Sequence, residues 1–282
     1  MGGPVSEAGP RRIDSPVEVA ASGAEASPRL IDGPADAPAT LLLAHGAGAP
    51  MDSPFMAAIA TGLAERGWRV VRFEFPYMAR ARLTGRRAGP DRLPKLLEAF
   101  RQQVALEGNA RPLILGGKSM GGRVASLLLD ELASADTAAS DHLTGHPIGM
   151  DPITDSPIAG SLIAGSGIAG SRIADSRIAG GLCLGYPFHP PGRPEQLRTE
   201  HLQTLRTETL ILQGERDPFG RREEVEGYAL SPRVHIQWLP HGDHSFTPTR
   251  RSGLSEADNW NAAVAHADRF CRERLSPCSD KA

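Results

Sequence analysis

The fold of this chain is decided by the stretch Leu113-Ile114-Leu115-Gly116-Gly117-Lys118-Ser119-Met120-Gly121. Its first residues are apolar and predict a short buried strand, and residues 122–129 predict a helix. The turn between them reads Gly-x-Ser-x-Gly, and a side chain at Gly117 or Gly121 would collide with neighbouring elements where the chain bends. Ser119 is then expected in strained backbone, with its hydroxyl at the N-terminus of the helix, where free N–H groups stabilise negative charge. This order of elements predicts a nucleophilic serine; the alternative is a glycine-rich turn of an ordinary α/β fold.

The rest of the chain alternates between strands and helices. This alternation predicts an α/β fold: a mostly parallel sheet with helices on both faces and no large cap domain. Residues 80–90 are read as a basic loop. Strands are predicted at 40–44, 68–75, 113–116, 178–184, 209–212 and 234–239, and helices at 55–66, 91–106, 122–133, 193–206, 222–229 and 256–275.

Two segments depart from this alternation. Residues 1–38 are rich in Pro, Gly, Ala and Ser and predict a flexible tail, in which Val17–Val19 and Arg29–Ile31 could pair as an edge hairpin. Residues 135–177 predict a low-complexity insertion within a single α/β domain at 39–276. The insertion carries five-residue units with isoleucine second from Pro152 onward, continuing to about residue 181. We interpret it as a tandem expansion inside a loop, with a pentapeptide-repeat β-helix as the alternative.

Composition excludes several functional classes. The chain has 282 residues and a net charge of −2, so it lacks the excess of basic residues that is typical of nucleic-acid-binding proteins. No apolar run reaches the length of a membrane span. The three cysteines form no disulfide pattern, and we expect a reducing, cytoplasmic compartment. No metal or organic cofactor is implied, and the sequence does not determine an oligomeric state.

A serine nucleophile needs a base, and the base needs an acidic partner that fixes its tautomer. In this type of fold the acid and the base follow the nucleophile along the chain. Asp217 follows the predicted strand 209–212 and is the preferred acid, with Glu215 as its competitor. His244, after the last predicted strand, is the preferred base, with His241 as the alternative.

An oxyanion hole is predicted beside Ser119. His45 ends the first strong strand and is expected to order the glycine-rich turn that follows it. One backbone N–H is predicted from Ala47 or Gly48 of that turn, and the other from Met120.

The motifs, taken in order, resemble the α/β-hydrolase superfamily, and within it the small dienelactone-hydrolase-like proteins. They are similar to a family of bacterial hydrolases related to the hydrolase-like domain of a chromatin-complex scaffold subunit. The resemblance spans about residues 40–275. It rests on His45-Gly46-Ala47-Gly48-Ala49, Met51-Asp52, Arg72-Phe73-Glu74-Phe75-Pro76-Tyr77-Met78, Gly117-Lys118-Ser119-Met120-Gly121-Gly122-Arg123, Gly185-Tyr186-Pro187-Phe188-His189-Pro190-Pro191-Gly192, Gln213-Gly214-Glu215-Arg216-Asp217 and His244-Ser245-Phe246.

The resemblance implies a serine hydrolase that cleaves a carboxylic ester of a small molecule, or a related acyl bond, through an acyl-enzyme, with Ser119, Asp217 and His244 as its triad. A non-catalytic scaffold module with the same fold is the alternative. Glu74 is a further accessory candidate, since the resemblance implies that a glutamate in this region contacts the resting nucleophile. From the sequence alone it could equally form a structural ion pair with Lys118, Arg72 or Arg123.

Overall fold

A computed structural model describes residues 28–141 and 177–276. Within these residues seven strands form one sheet in the order β1-β3-β2-β4-β5-β6-β7, and only the edge strand β1 runs antiparallel to its neighbour. The sheet confirms the predicted mostly parallel α/β architecture. The strands are β1 (Arg29–Asp32), β2 (Thr40–Ala44), β3 (Arg69–Phe73), β4 (Leu113–Lys118), β5 (Ile178–Leu184), β6 (Thr209–Gly214) and β7 (Val234–Leu239).

Helices cover both faces of this sheet. Apolar residues of α3 and α4 pack on one face in a cluster with Phe73 and Ile211. Those of α1 and α7 pack on the other face, with Leu43 and Leu212. The helices are α1 (Pro54–Ala64), α2 (Pro76–Thr84), α3 (Leu93–Leu106), α4 (Met120–Asp141), α5 (Glu200–Thr204), α6 (Arg222–Val225) and α7 (Glu256–Leu275). No helix in the described ranges combines the length and the apolar character needed to cross a bilayer.

The prediction of a basic loop at residues 80–90 is wrong for the first half of that range, because α2 continues to Thr84. Pro76 opens this helix with a favourable φ, and Gly85 closes it in the left-handed region at φ 67°. The sequence of α2 is rich in charged residues and lacks the apolar periodicity from which a helix is predicted. Ion pairs to other segments anchor it instead, including Arg80 to Asp91 at 2.9 Å.

Other segments differ from the sequence prediction in extent or partner. Arg29–Asp32 pairs with β3, so order begins inside the predicted tail; its predicted hairpin partner at 17–19 lies outside the described residues. The helix α4 runs to Asp141, past the predicted end at 133, and the insertion beyond it lies outside the described residues except for Arg177. The helix predicted at 193–206 is wrong in length, since only Glu200–Thr204 is helical.

The turn after β4 is packed so closely that only glycine fits. A Cβ at Gly117 would lie 2.3 Å from the carbonyl oxygen of Ala44, and one at Gly121 would lie 2.5 Å from the same atom. Real Cβ atoms do not approach a backbone oxygen this closely, so the end of β2 would have to move. The sequence predicted that a side chain at either glycine would collide with a neighbouring element, and that element is the end of β2.

We expect Gly117→Ala to lower the free energy of unfolding by about 1–3 kcal/mol, the usual cost of overpacking a tight site. Gly89→Ala is the matched control, because a Cβ there meets nothing within 4 Å. Urea denaturation of both variants measures the effect. Equal midpoints for Gly117→Ala and wild type would contradict the packing argument.

Candidate active site

Ser119 lies between β4 and α4 in backbone that side-chain-bearing residues rarely adopt. Its φ is 52°, in the left-handed region. Its N–H donates to the carbonyl oxygen of Leu184 at 2.9 Å, which ties the turn to the end of β5. Strain of this kind persists only where neighbouring structure enforces it, and it concentrates at functional sites.

Asp217 follows β6 and is fully buried. Its Oδ2 accepts hydrogen bonds from Nδ1 of His244 at 2.8 Å and from Nε2 of Gln213 at 2.9 Å. Its Oδ1 accepts from the backbone N–H of Phe219 at 2.9 Å. All three partners are N–H groups, so both oxygens of the buried side chain have hydrogen-bond partners.

His244 lies in the loop after β7 and connects the acid to the serine. Because its Nδ1–H donates to Asp217, its Nε2 is free to accept from the hydroxyl of Ser119 at 2.9 Å. The ring of Phe219 lies against the imidazole, with the centroids 4.2 Å apart. The structure thus brings the three predicted catalytic residues together in one hydrogen-bonded chain.

Glu215 and His241, the alternative acid and base, lie outside this chain of hydrogen bonds. The carboxylate of Glu215 pairs with Arg222 at 3.1 Å and accepts the backbone N–H of His241 at 2.8 Å. His241 is exposed and stands at φ 54° in the turn after β7. Neither side chain contacts Ser119.

The turn predicted to supply the oxyanion hole, residues 46–48, lies closest to Ser119 at Gly46. A Cβ added to Gly46 would lie 3.7 Å from the Cβ of the serine. The next two residues, Ala47 and Gly48, are exposed. The hydroxyl of Tyr77 donates to the carbonyl oxygen of Ala47 at 3.0 Å and holds the turn in place. Met120 is the first residue of α4, so its N–H has no acceptor within the helix.

His45 orders this turn, as its position at the end of β2 suggested. Its Nε2 accepts the backbone N–H of Phe75 at 3.0 Å, so its Nδ1 carries the proton donated to the carbonyl oxygen of Gly46 at 2.6 Å. Burial lowers the pKa of His45. A neutral imidazole with both nitrogens engaged is a structural support.

Lys118 is a buried cation beside the nucleophile, only 8% exposed. Its Nζ donates to the backbone carbonyl oxygen of His244 and lies 5.2 Å from the ring centroid of Phe55. None of the carboxylates in the described ranges pairs with it within 4 Å. Burial lowers its pKa to about 8, against the opposing effect of Asp217 and Asp243.

Glu74 does not pair with any of the three cations suggested by the sequence. Its buried carboxylate accepts from Arg82 of α2 at 2.6 Å, and Arg82 also binds Asp52 at 2.9 Å. Arg72 is instead paired with Asp32 at 2.8 Å. The expected pairings were wrong because α2, which supplies the partner, was read as a loop.

An open cavity of about 280 Å³ lies between the first turns of α1 and α7. Its lining includes Lys118, the residue before Ser119, but none of the three predicted catalytic residues. Its wall is mainly apolar and aromatic, and it reaches the oxyanion turn through Gly46. It is lined by Gly46, Ala49, Ser53, Pro54, Phe55, Met56, Lys118, Ser245, Thr247, Glu256 and Trp260. A second cavity of about 310 Å³ lies between the sheet and α7, and it too includes none of the predicted catalytic residues.

Three supporting residues were missed by the sequence reasoning. Tyr77 and Arg82 lie on α2, whose lack of apolar periodicity gave no signal. Gln213 could have been noticed, because a polar side chain at the end of an otherwise apolar strand needs buried partners. Its amide donates to Asp217 and to the carbonyl oxygen of Tyr186 at 3.2 Å.

Comparison with known proteins gives the family. A sequence model of the alpha/beta hydrolase domain matches residues 37–151 and 155–272, which is most of the chain. The chain therefore belongs to the alpha/beta hydrolase family.

Solved structures share this fold over nearly the whole chain. Dienelactone hydrolase from Anabaena variabilis is 16% identical with a TM-score of 0.57, covering 90% of this chain and 94% of its own. An alpha-beta serine hydrolase homologue from Coxiella burnetii is 15% identical with a TM-score of 0.52, covering 88% and 91%. A serine hydrolase without a lid from Xanthomonas campestris is 16% identical with a TM-score of 0.50, covering 89% and 90%. At these identities the likeness establishes the fold.

The surroundings of His244 predict a measurable dependence on Lys118. Burial lowers the pKa of His244, the hydrogen bond to Asp217 raises it, and the charge of Lys118 lowers it further. Removing the cation in Lys118→Met should therefore move the pKa of His244 upward. NMR titration of the imidazole measures this shift without requiring any substrate.

Lys95→Met is the matched control, since Lys95 is an exposed lysine on α3 that pairs with Asp91. It should leave the titration of His244 where it is in wild type. A downward or absent shift in Lys118→Met would show that the lysine does not act electrostatically on this histidine.

Proposed function

We propose that this protein is a serine hydrolase that cleaves a carboxylic ester through an acyl-enzyme. The observation that carries the proposal is the chain of hydrogen bonds from Ser119 through His244 to Asp217, at 2.9 and 2.8 Å, with the serine at φ 52°. Membership of the alpha/beta hydrolase family supports the reaction class.

In the first half-reaction, Oγ of Ser119 attacks the ester carbonyl carbon while Nε2 of His244 takes the hydroxyl proton. Asp217 keeps the other ring nitrogen protonated and stabilises the imidazolium that forms. The negative oxygen of the tetrahedral intermediate accepts hydrogen bonds from the N–H of Met120 and from that of Ala47 or Gly48. His244 then gives its proton to the leaving alkoxide, which departs as the alcohol.

In the second half-reaction, water attacks the acyl-enzyme with His244 again as the base. The carboxylic acid leaves and Ser119 regains its proton. Because burial and the charge of Lys118 lower the pKa of His244, the base stays neutral below its ordinary pKa of about 6.5. The acid limb of the kcat/KM profile should accordingly lie below that pH.

The cavity between α1 and α7, which Gly46 and Lys118 help to line, indicates which substrates fit. Its apolar wall suits a hydrocarbon group, and its volume of about 280 Å³ is small for a ligand pocket. We therefore place a short acyl group there. The proposed location is the cytoplasm, in keeping with Cys183 and Cys271, which are buried free thiols.

A fluorophosphonate probe should label the wild-type protein, and Ser119→Ala should abolish the labelling. Ser134→Ala is the matched control, because it removes an exposed serine further along the same helix and should label normally. Mass spectrometry of the labelled peptide identifies the site. Labelling of the Ser119→Ala variant would overturn the assigned nucleophile, and an unlabelled wild type would favour a non-catalytic scaffold.

Paired substitutions separate the acid and the base from their neighbours. Asp217→Asn should lower kcat by about 10³- to 10⁴-fold, because the histidine loses its fixed tautomer. Glu215→Gln should keep most activity, since that carboxylate faces Arg222 and the backbone of His241. In the same way His244→Ala should be nearly inactive and His241→Ala active. A reversed ranking in either pair would contradict the assignment.

A series of p-nitrophenyl esters tests the fit of the acyl group. We expect acetate and butyrate esters to show higher kcat/KM than octanoate and decanoate esters, because the longer chains exceed the cavity. A maximum at decanoate would show that the acyl group binds elsewhere.

A further inference from the structure

The second cavity, between the sheet and α7, is lined mainly by basic side chains. Its volume is about 310 Å³, and it is open on one side. Among the described residues its lining consists of two apolar residues, one amide, one carboxylate and four basic side chains: Leu210, Phe270, Gln237, Glu273, His235, His266, Arg269 and Arg274. A cavity with this excess of basic groups suits an anionic ligand.

The strand β7 presents polar side chains to this cavity where its neighbours carry leucines. On the face of the sheet that α7 covers, two rows of paired residues run across β5, β6 and β7: Leu182–Leu210–His235 and Leu184–Leu212–Gln237. Paired residues on neighbouring strands point to the same face of a sheet. The apolar layer under α7 therefore ends at β6, and His235 and Gln237 form a polar floor for the cavity.

The opposite wall of the cavity is one face of α7. The residues that line it lie at positions i, i+3, i+4, i+7 and i+8 of the helix: His266, Arg269, Phe270, Glu273 and Arg274. Residues with this spacing share one face, which is usually apolar in a helix that packs on a sheet. In this set only Phe270 is apolar, so α7 contributes mainly charged and polar groups to the cavity.

Arg269 is a cation of this wall that has no carboxylate within 4 Å among the described residues. Its Nη2 donates to Nδ1 of His266 at 2.8 Å. Because a guanidinium group can only donate, the neutral ring of His266 carries its proton on Nε2. Burial and the charge of Arg269 lower the pKa of His266, so the ring is mostly neutral at pH 7. Both side chains therefore retain N–H groups for a ligand with acceptor atoms.

Arg274 supplies a further donor at the same cavity. Its Nε is buried and has no acceptor in the described chain. Its Nη1 lies 3.7 Å from a carboxylate oxygen of Glu208, which also binds Arg233 at 2.6 Å and His235 at 2.7 Å. One carboxylate is thus shared by three basic side chains, and a buried donor without an acceptor costs free energy that a bound anion would recover.

We propose that the second cavity is a binding site for a phosphate monoester. Its several oxygens can accept from Arg269, His266 and Arg274 together, and its negative charge of nearly two at pH 7 matches the two guanidinium groups. The volume of the cavity leaves room for a small organic group, which would lie against Leu210 and Phe270. This site does not depend on the proposed hydrolase function.

Phenyl phosphate is a suitable probe of the site. Calorimetry should detect its binding to the wild-type protein, with higher affinity than inorganic phosphate, because the phenyl ring adds apolar contacts with Leu210 and Phe270. Absence of binding in the millimolar range would overturn the site. Equal or tighter binding of inorganic phosphate would overturn the placement of an organic group in the cavity.

Substitutions on α7 test which charges bind the probe. Arg269→Met and Arg274→Met should each weaken binding by about 10- to 100-fold, as expected for loss of a charge-assisted hydrogen bond. Glu273→Gln should tighten binding, because it removes the carboxylate from the lining. Arg272→Met is the matched control, since Arg272 lies outside the lining and pairs with Asp268 at 3.0 Å. Unchanged affinity in both test variants, or equal weakening in the control, would overturn the proposal.

Circular dichroism and melting temperature report whether each variant folds. If Arg274→Met does not fold, Arg269→Met carries the test, because Arg269 is exposed and its hydrogen bond to His266 lies within α7. Arg269→Lys should retain more affinity than Arg269→Gln, because it keeps the positive charge. Equal affinity in these two variants would contradict a role for that charge.

NMR separates this site from the proposed active site. Phenyl phosphate should shift the imidazole resonances of His266 and raise its pKa, because the bound anion opposes the charge of Arg269, and it should leave those of His244 unchanged. Ser119→Ala should bind phenyl phosphate with wild-type affinity, and these results would stand even if the fluorophosphonate probe failed to label the protein. Loss of binding in Ser119→Ala, or shifts at His244 in place of His266, would overturn the site on α7.

Discussion

The close packing of the turn after β4 against the end of β2 is the constraint on which the proposed site depends. Two glycines, Gly117 and Gly121, let the carbonyl oxygen of Ala44 approach to a distance that no Cβ would permit. The same approach brings the turn after β2 beside Ser119, which stands at φ 52°. One backbone contact therefore positions both the proposed nucleophile and the proposed source of oxyanion-stabilising N–H groups.

A buried polar network extends this positioning across the sheet. Asp217 is inaccessible to water and must be satisfied by protein donors, which it finds in Gln213, Phe219 and His244. Gln213 also binds both the N–H and the carbonyl oxygen of Tyr186. The side chain of Gln213 thus holds both the proposed acid, Asp217, and Tyr186 in the segment that follows β5. A change in the position of either residue should therefore alter the position of the other.

Much of this architecture was predictable from local sequence. Continuous apolar runs such as Thr40–Ala44 and Ile178–Leu184 predict buried parallel strands, and both strands have the predicted bounds. The glycine spacing around Ser119 predicts the turn, because the steric demand of a sharp bend is local. The order of serine, acid and histidine follows from the order of the strands, whose carboxyl ends share one edge of the sheet.

The sequence by itself determined the alternation of strands and helices, the turn at Ser119 and two candidates each for acid and base. Only the tertiary structure shows that Asp217 contacts the imidazole of His244, whereas Glu215 faces Arg222 and the backbone of His241, because the contact of Asp217 with His244 joins the loops after β6 and β7. It alone supplied α2, which long-range ion pairs such as Arg82 to Asp52 stabilise in place of an apolar face. Local patterns record the periodicity of a segment, whereas the partner of a charge is set by which segments the fold brings together.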